Sequence, residues 1–224
     1  MKKTLAALLV TAALAGAAQA GQTVGTETYD LLFKNGTLDA VAPEATLVYS
    51  RETENRGKPE SGPRDSGEIA ISFDETAEKK VAELQFRQGE KHRNLGSFPA
   101  SVGNPMIMFF YETVVRDMAE IAGGSPFYIR NRVKDALIQP AEMVEGEAEL
   151  NGETVPVTTL TLRPFADDPN REKMKGFGDL TLTVTMSEEV PGWYLSLAAE
   201  APHPIGGAPM YVSDMRFERL ESGQ

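Results

Sequence analysis

Between Asn104 and Pro140 the apolar residues of this chain recur at spacings of three and four; before and after that stretch they alternate with polar ones. A strand alternates its side chains between two faces, whereas a helix returns to one face every 3.6 residues. The switch of period therefore fixes the order of the fold as strands, then helices, then strands. Asn104 is a good helix cap and Pro105 a good first helical residue. Ile107, Phe110, Tyr111, Val114, Met118 and Ile121 form the apolar stripe, with Glu112, Arg116, Asp117 and Glu120 on the other side. Gly123-Gly124 ends that helix. Ser125 caps and Pro126 opens a second helix, with Phe127, Ile129, Val133, Ala136 and Leu137 as its apolar positions and Pro140 as its limit.

The flanking segments read as strands. Tyr29, Leu31 and Phe33 alternate up to Asn35-Gly36, a hairpin signal. Thr46 to Thr53 follows, with Leu47 and Tyr49 on one face. Glu54 to Gly67 is charged and rich in Gly and Pro, and reads as a long mobile loop. Ile69, Ile71 and Phe73 alternate, Val81 to Arg87 runs to a turn at Gly89, and His92 to Ser97 adds a short strand. Beyond the helices, Glu147 to Leu150 leads into Asn151-Gly152. Glu153 to Leu162 returns with a slip of apolar phase that calls for a bulge near Thr158-Thr159. Phe165 to Phe177 reads as a polar connection. Leu180, Leu182, Val184 and Met186 alternate strictly with threonines. Trp193, Leu195, Leu197 and Ala199 follow Pro191-Gly192, and Tyr211 to Leu220 closes the chain after a Pro/Gly loop. The expected fold class is α+β: a curved, half-barrel-like antiparallel sheet of nine or ten strands, covered by a central two-helix hairpin, in a single domain over residues 21–224.

Met1-Lys2-Lys3, the apolar run Leu5 to Ala18 and the small-x-small site Ala18-Gln19-Ala20 have the anatomy of a secretory signal peptide. Cleavage after Ala20 predicts a periplasmic protein beginning at Gly21. The run is shorter than the roughly 20 residues that span a bilayer, and no later stretch predicts an integral membrane segment. The chain has no cysteine, which excludes disulfides and lipid attachment through an N-terminal cysteine. Its net charge is −11, and −13 without Lys2 and Lys3. Such acidity argues against nucleic acid, whose phosphates demand lysine and arginine, and against anionic lipid headgroups.

A signal peptide, long antiparallel strands, a central helical insertion and further strands together resemble the LolA-like group of periplasmic proteins. The segment Tyr29 to Arg51 also looks like the opening hairpin of periplasmic proteins with that kind of fold. The resemblance implies an open half-barrel that closes over helices and holds lipid acyl chains. Helical residues before the first strand, which that group carries, find no counterpart here, so none of its ligand residues maps onto a position.

Catalytic motifs are lacking. Only two histidines occur, His92 in Lys91-His92-Arg93 and His203 between Pro202 and Pro204, with no metal-ligand spacing. No serine elbow appears, and Ser125 is explained by capping. Asp167-Asp168 and Glu188-Glu189 read as solvated surface pairs. No catalytic residue, metal or cofactor is assigned. The candidate ligand-binding residues are Ile107, Phe110, Tyr111, Val114, Phe127 and Arg130. The run Met106 to Tyr111 has more large apolar side chains than one helix face can bury against one sheet. Arg130 lies near a helix start, where an anionic headgroup would be favoured beside Phe127. The expected function is non-enzymatic carriage or binding of an apolar, lipid-like or amphiphilic ligand. The alternatives are an envelope scaffold or assembly factor that binds another protein, and a hydrolase using His203.

Overall fold

The structure is a computed structural model that describes residues 19–74 and 79–222. The segment expected to be a leader, residues 1–20, lies outside the described residues apart from positions 19 and 20, at the start of the first strand. In chain order the elements are β1 (Gln19–Gln22), α1 (Glu27–Leu32), β2 (Thr46–Asn55), α2 (Ser61–Asp65), β3 (Gly67–Asp74), β4 (Val81–Gln88), β5 (Lys91–Pro99), α3 (Met106–Ala122), α4 (Pro126–Ala136), β6 (Glu142–Leu150), β7 (Glu153–Leu162), β8 (Thr181–Met186), β9 (Tyr194–Ala201) and β10 (Tyr211–Glu221). The ten strands make one open sheet in the order β1-β6-β7-β8-β9-β10-β2-β3-β4-β5. Every pairing is antiparallel. The last strand lies beside β2, so the two halves of the chain join at the centre of the sheet.

Local chemistry sets these elements. Asn151 and Gly152 take φ of 53° and 84°, the left-handed pair that a two-residue hairpin needs between β6 and β7. In β8, Leu182, Val184 and Met186 are buried while Thr181, Thr183 and Thr185 are half-buried. Cross-strand partners carry that apolar face onward: Val184 opposite Leu197, Leu197 opposite Met215, Phe217 opposite Tyr49, and Tyr49 opposite Ile69. The face is covered by α3, whose Met106, Ile107, Phe110, Val114 and Met118 are no more than 1% exposed. Each such side chain contributes about 1.5–3 kcal/mol by leaving water. Asn104 Oδ1 accepts the Met106 amide at 2.9 Å, the expected cap at the helix start. Gly123 and Gly124, at φ of 79° and 93°, end α3, and Pro126 opens α4.

Several local expectations are overturned. Tyr29, Leu31 and Phe33 lie in and just after α1, not in a strand. Trp193 Nε1 donates to the Leu31 carbonyl at 2.9 Å and the Tyr194 hydroxyl to the Leu32 carbonyl at 2.6 Å, so distant side chains satisfy the carbonyls at that helix end. The Glu54 to Gly67 segment is not a featureless loop. β2 runs to Asn55, and Asn55 Nδ2 donates to Ser61 Oγ at 3.1 Å, packing α2 back onto the strand. No register shift marks Thr158-Thr159. Instead β7 buries Val155 and Val157 near its start and Leu160 and Leu162, on the other parity, near its end. The 165–177 connection buries both Phe165 and Phe177 at 0% exposure.

Candidate functional site

Because α1 is a helix, it brings aromatic side chains against the start of α3. Tyr29 and Phe33 are one turn apart and stack with centroids 4.7 Å apart. Together with the end of β5 and the 100–105 segment they border an open groove of about 470 Å3. Its lining includes Tyr29, Phe33, Phe98, Val102, Ile107 and Met108, with Tyr194 and Asn104 deeper and Asp30 and Lys34 at the rim. Tyr29, Val102 and Met108 are 47%, 62% and 42% exposed. These exposed apolar side chains gather at the mouth of one groove, a setting in which ligand and partner sites are commonly found. Lys34 is paired with Glu188 and lies 4.2 Å above the Trp193 ring. Asn104 ties the groove to the sheet: its Nδ2 donates to the Tyr49 hydroxyl at 3.0 Å and to the Gly192 carbonyl at 2.8 Å.

The six candidate residues do not meet in one place. Ile107 borders the groove. Phe110, Tyr111 and Val114 are packed in the core; the Tyr111 hydroxyl is buried without a partner, and burial pushes its pKa up. Phe127 is 75% exposed, off the buried Ile129-Val133 stripe of its helix. Arg130 donates to both carboxylate oxygens of Glu112 at 2.6 and 2.7 Å, which holds that carboxyl below its usual range. The guanidinium also lies 5.7 Å from the Phe127 ring centre. Arg130 thus staples α4 to α3 in this arrangement.

Asp168, expected at the surface, has a fully buried side chain. Its Oδ2 accepts from the Tyr128 hydroxyl at 2.7 Å and from Arg132 Nε at 2.9 Å, and its Oδ1 accepts the Asn170 amide at 2.8 Å. Burial alone would raise its pKa, but these donors hold it below the usual carboxylate range. An open polar pocket of about 680 Å3 lies alongside, lined in part by Arg132, Asp135, Glu142 and Arg163. Glu142 and Arg163 pair at 3.1 Å. His203 accepts the Ile205 amide at 3.4 Å on Nδ1, its one side-chain hydrogen bond among the described residues. Among the described residues no group of three or more His, Cys, Asp or Glu is placed to hold a metal ion, and no helix is long and apolar enough to cross a membrane.

The sequence reading missed a charged pair inside the core. Arg51 of β2 is 1% exposed and Asp117 of α3 is 3% exposed, with Arg51 Nη2 3.8 Å from Asp117 Oδ2. That oxygen accepts the Tyr211 hydroxyl at 2.9 Å, while Asp117 Oδ1 accepts from Arg116 at 2.8 and 3.1 Å. Burial lowers the Arg51 pKa and the Asp117 charge opposes the change. Tyr211 is pushed well up, first by burial and then by Asp117. Both charged residues were findable. Asp117 follows Val114 by three and Phe110 by seven, within the buried stripe. Arg51 shares the parity of Leu47 and Tyr49.

No protein-family model matches the chain, and no curated protein matches it.

Proposed function

We propose that the protein is a non-enzymatic binder or carrier of an apolar or amphiphilic ligand, held in the groove between α1, the end of β5 and the start of α3. The observation that carries this reading is the grouping of Tyr29, Val102 and Met108, all exposed, around a groove of about 470 Å3. That volume falls within the usual range for small-molecule sites, about 300–1,000 Å3. The lining suits such a ligand: four aromatic rings (Tyr29, Phe33, Phe98 and Tyr194), aliphatic carbons and a methionine, which adapts to varied shapes. Asp30, Asn35 and Lys34 at the rim leave the polar end of an amphiphile in water. The leader-like start of the chain and its LolA-like order of elements support work in the periplasm, where apolar cargo needs shielding.

Titration with N-phenyl-1-naphthylamine, an uncharged apolar fluorophore, tests the reading. Saturable fluorescence enhancement is expected, weakened at least tenfold by Met108→Glu or Val102→Asp and unchanged by Phe127→Ser. Absence of saturable binding, or equal binding by all variants, would overturn it.

A second reading, an envelope scaffold that binds another protein, is favoured by the edge of β5, which among the described residues pairs with β4 alone. An extended segment of a partner could add there as a further strand. Crosslinking in intact cells from Asn94 tests it: a specific adduct is expected, and none would remove this reading.

A further inference from the structure

We propose that Arg51, Thr53 and Ser213 form an internal binding site for an oxyanion, enclosed between the sheet and α3 and separate from the apolar groove. All three guanidinium nitrogens of Arg51 are buried and without a hydrogen-bond partner, and so is Thr53 Oγ1; Ser213 Oγ is buried too and lies beside the Tyr211 hydroxyl. Arg51 and Thr53 lie two residues apart on one face of β2, and Ser213 of β10 is directly opposite Thr53. Five N–H donors and two hydroxyls therefore share one stretch of the inner face. Buried polar groups are nearly always satisfied, so a cluster of this size points to an occupant.

The chemistry of that occupant follows from what the cluster lacks. The nearest carboxylate, Asp117, is 3.8 Å from Arg51, beyond hydrogen-bond range, and both its oxygens already accept from Tyr211 and Arg116. The Phe109 ring, 5.9 Å from the guanidinium carbon, offers no lone pair. A water among these groups would have to place its own hydrogens on the two hydroxyls. An oxyanion only accepts, which matches a set dominated by donors, and its oxygens fit the guanidinium fork. Thr53 also borders an open pocket of about 600 Å3 beside α2, so the cluster is one residue from solvent on that side. The same chemistry is carried by free sulfate or phosphate and by the head of an alkyl phosphate or carboxylate.

Thermal unfolding at constant ionic strength, with chloride as the balancing salt, tests the proposal. Sulfate, phosphate or dodecyl phosphate at roughly a hundredfold excess over Kd should raise the wild-type Tm by about 5–11 °C. A response to the inorganic ions identifies a free oxyanion, and a response to dodecyl phosphate alone identifies a headgroup; both support the site. Arg51→Met should abolish the response while leaving N-phenyl-1-naphthylamine binding in the groove intact. Its ligand-free Tm should not fall, because Asp117 keeps Arg116 and Tyr211. If Arg51→Met does not fold, Thr53→Val and Ser213→Ala, which keep the arginine, should each weaken the affinity at least tenfold and so cut the Tm shift to about half or less at the same concentration. Selenate soaked into crystals should give an anomalous peak beside Arg51. No Tm response to any of the three anions, equal responses in wild type and variants, or water alone beside Arg51 in the selenate crystal would overturn the proposal.

Discussion

Asn104 joins three parts of the molecule, and its removal has a size that can be worked from the hydrogen bonds it makes. It is 4% exposed. Its side-chain oxygen caps α3 by accepting the Met106 amide, and its side-chain amide donates to the Tyr49 hydroxyl and the Gly192 carbonyl. Asn104→Ala loses the cap, about 1 kcal/mol. It also leaves the Tyr49 hydroxyl and the Gly192 carbonyl without that donor in the interior, about 1 kcal/mol each at the low end of the usual range. The expected loss is therefore about 3 kcal/mol, or about 6–12 °C in Tm for a chain of this length. Asn104→Ser restores a capping oxygen but not the two donors, so it should recover about 1 kcal/mol of the loss. Urea unfolding followed by circular dichroism measures both variants. A loss under about 1 kcal/mol for alanine, or equal losses for alanine and serine, would refute the claim that this side chain links helix, strand and turn.

Two further sites follow from the same reasoning. Gly192→Ala should destabilise by more than Gly152→Ala. Both positions need positive φ, but a Cβ at 192 would come within 2.7 Å of Leu47 and 2.9 Å of Asn104, whereas one at 152 meets nothing within 4 Å; comparing the two urea midpoints checks this. Asp214→Asn should raise stability at pH 7. Burial lifts the Asp214 pKa above its usual value, and its Oδ1 is buried without a partner. A carboxyl whose folded pKa is raised favours the folded state as it protonates, so the gain should shrink as pH falls through the carboxylate range; unfolding curves at pH 7 and pH 4 check the sign.

Much of the fold was legible because local and tertiary demands agree. Leu180 to Met186 alternates in the sequence because one side of β8 meets the core, and Asn151-Gly152 makes a hairpin by its own conformational preferences. The α3 stripe was legible for the same reason. Tyr29 to Phe33 was not, because a short segment with large residues at every second position fits a strand as well as a single helical turn. There the decision is made by Trp193 and Tyr194, more than 160 residues away, which bind its carbonyls. The groove was hidden by the same misreading, since it exists only where α1 brings Tyr29 and Phe33 to Met108. Arg51 and Asp117 were hidden for a different reason. Residue type suggested the surface, whereas their positions in the strand parity and the helical stripe pointed inward. Phe127 shows the converse: an apolar residue in a helix, placed off the buried stripe and left in water.

We propose that cargo is held in the cleft beside the α3 start. Backbone and methyl NMR shifts recorded while the uncharged fluorophore is titrated test it most directly. The largest perturbations are expected at Tyr29, Phe33, Val102, Ile107 and Met108. Perturbations that avoid these residues and gather elsewhere, for example around Phe127 or Ile205, would contradict it.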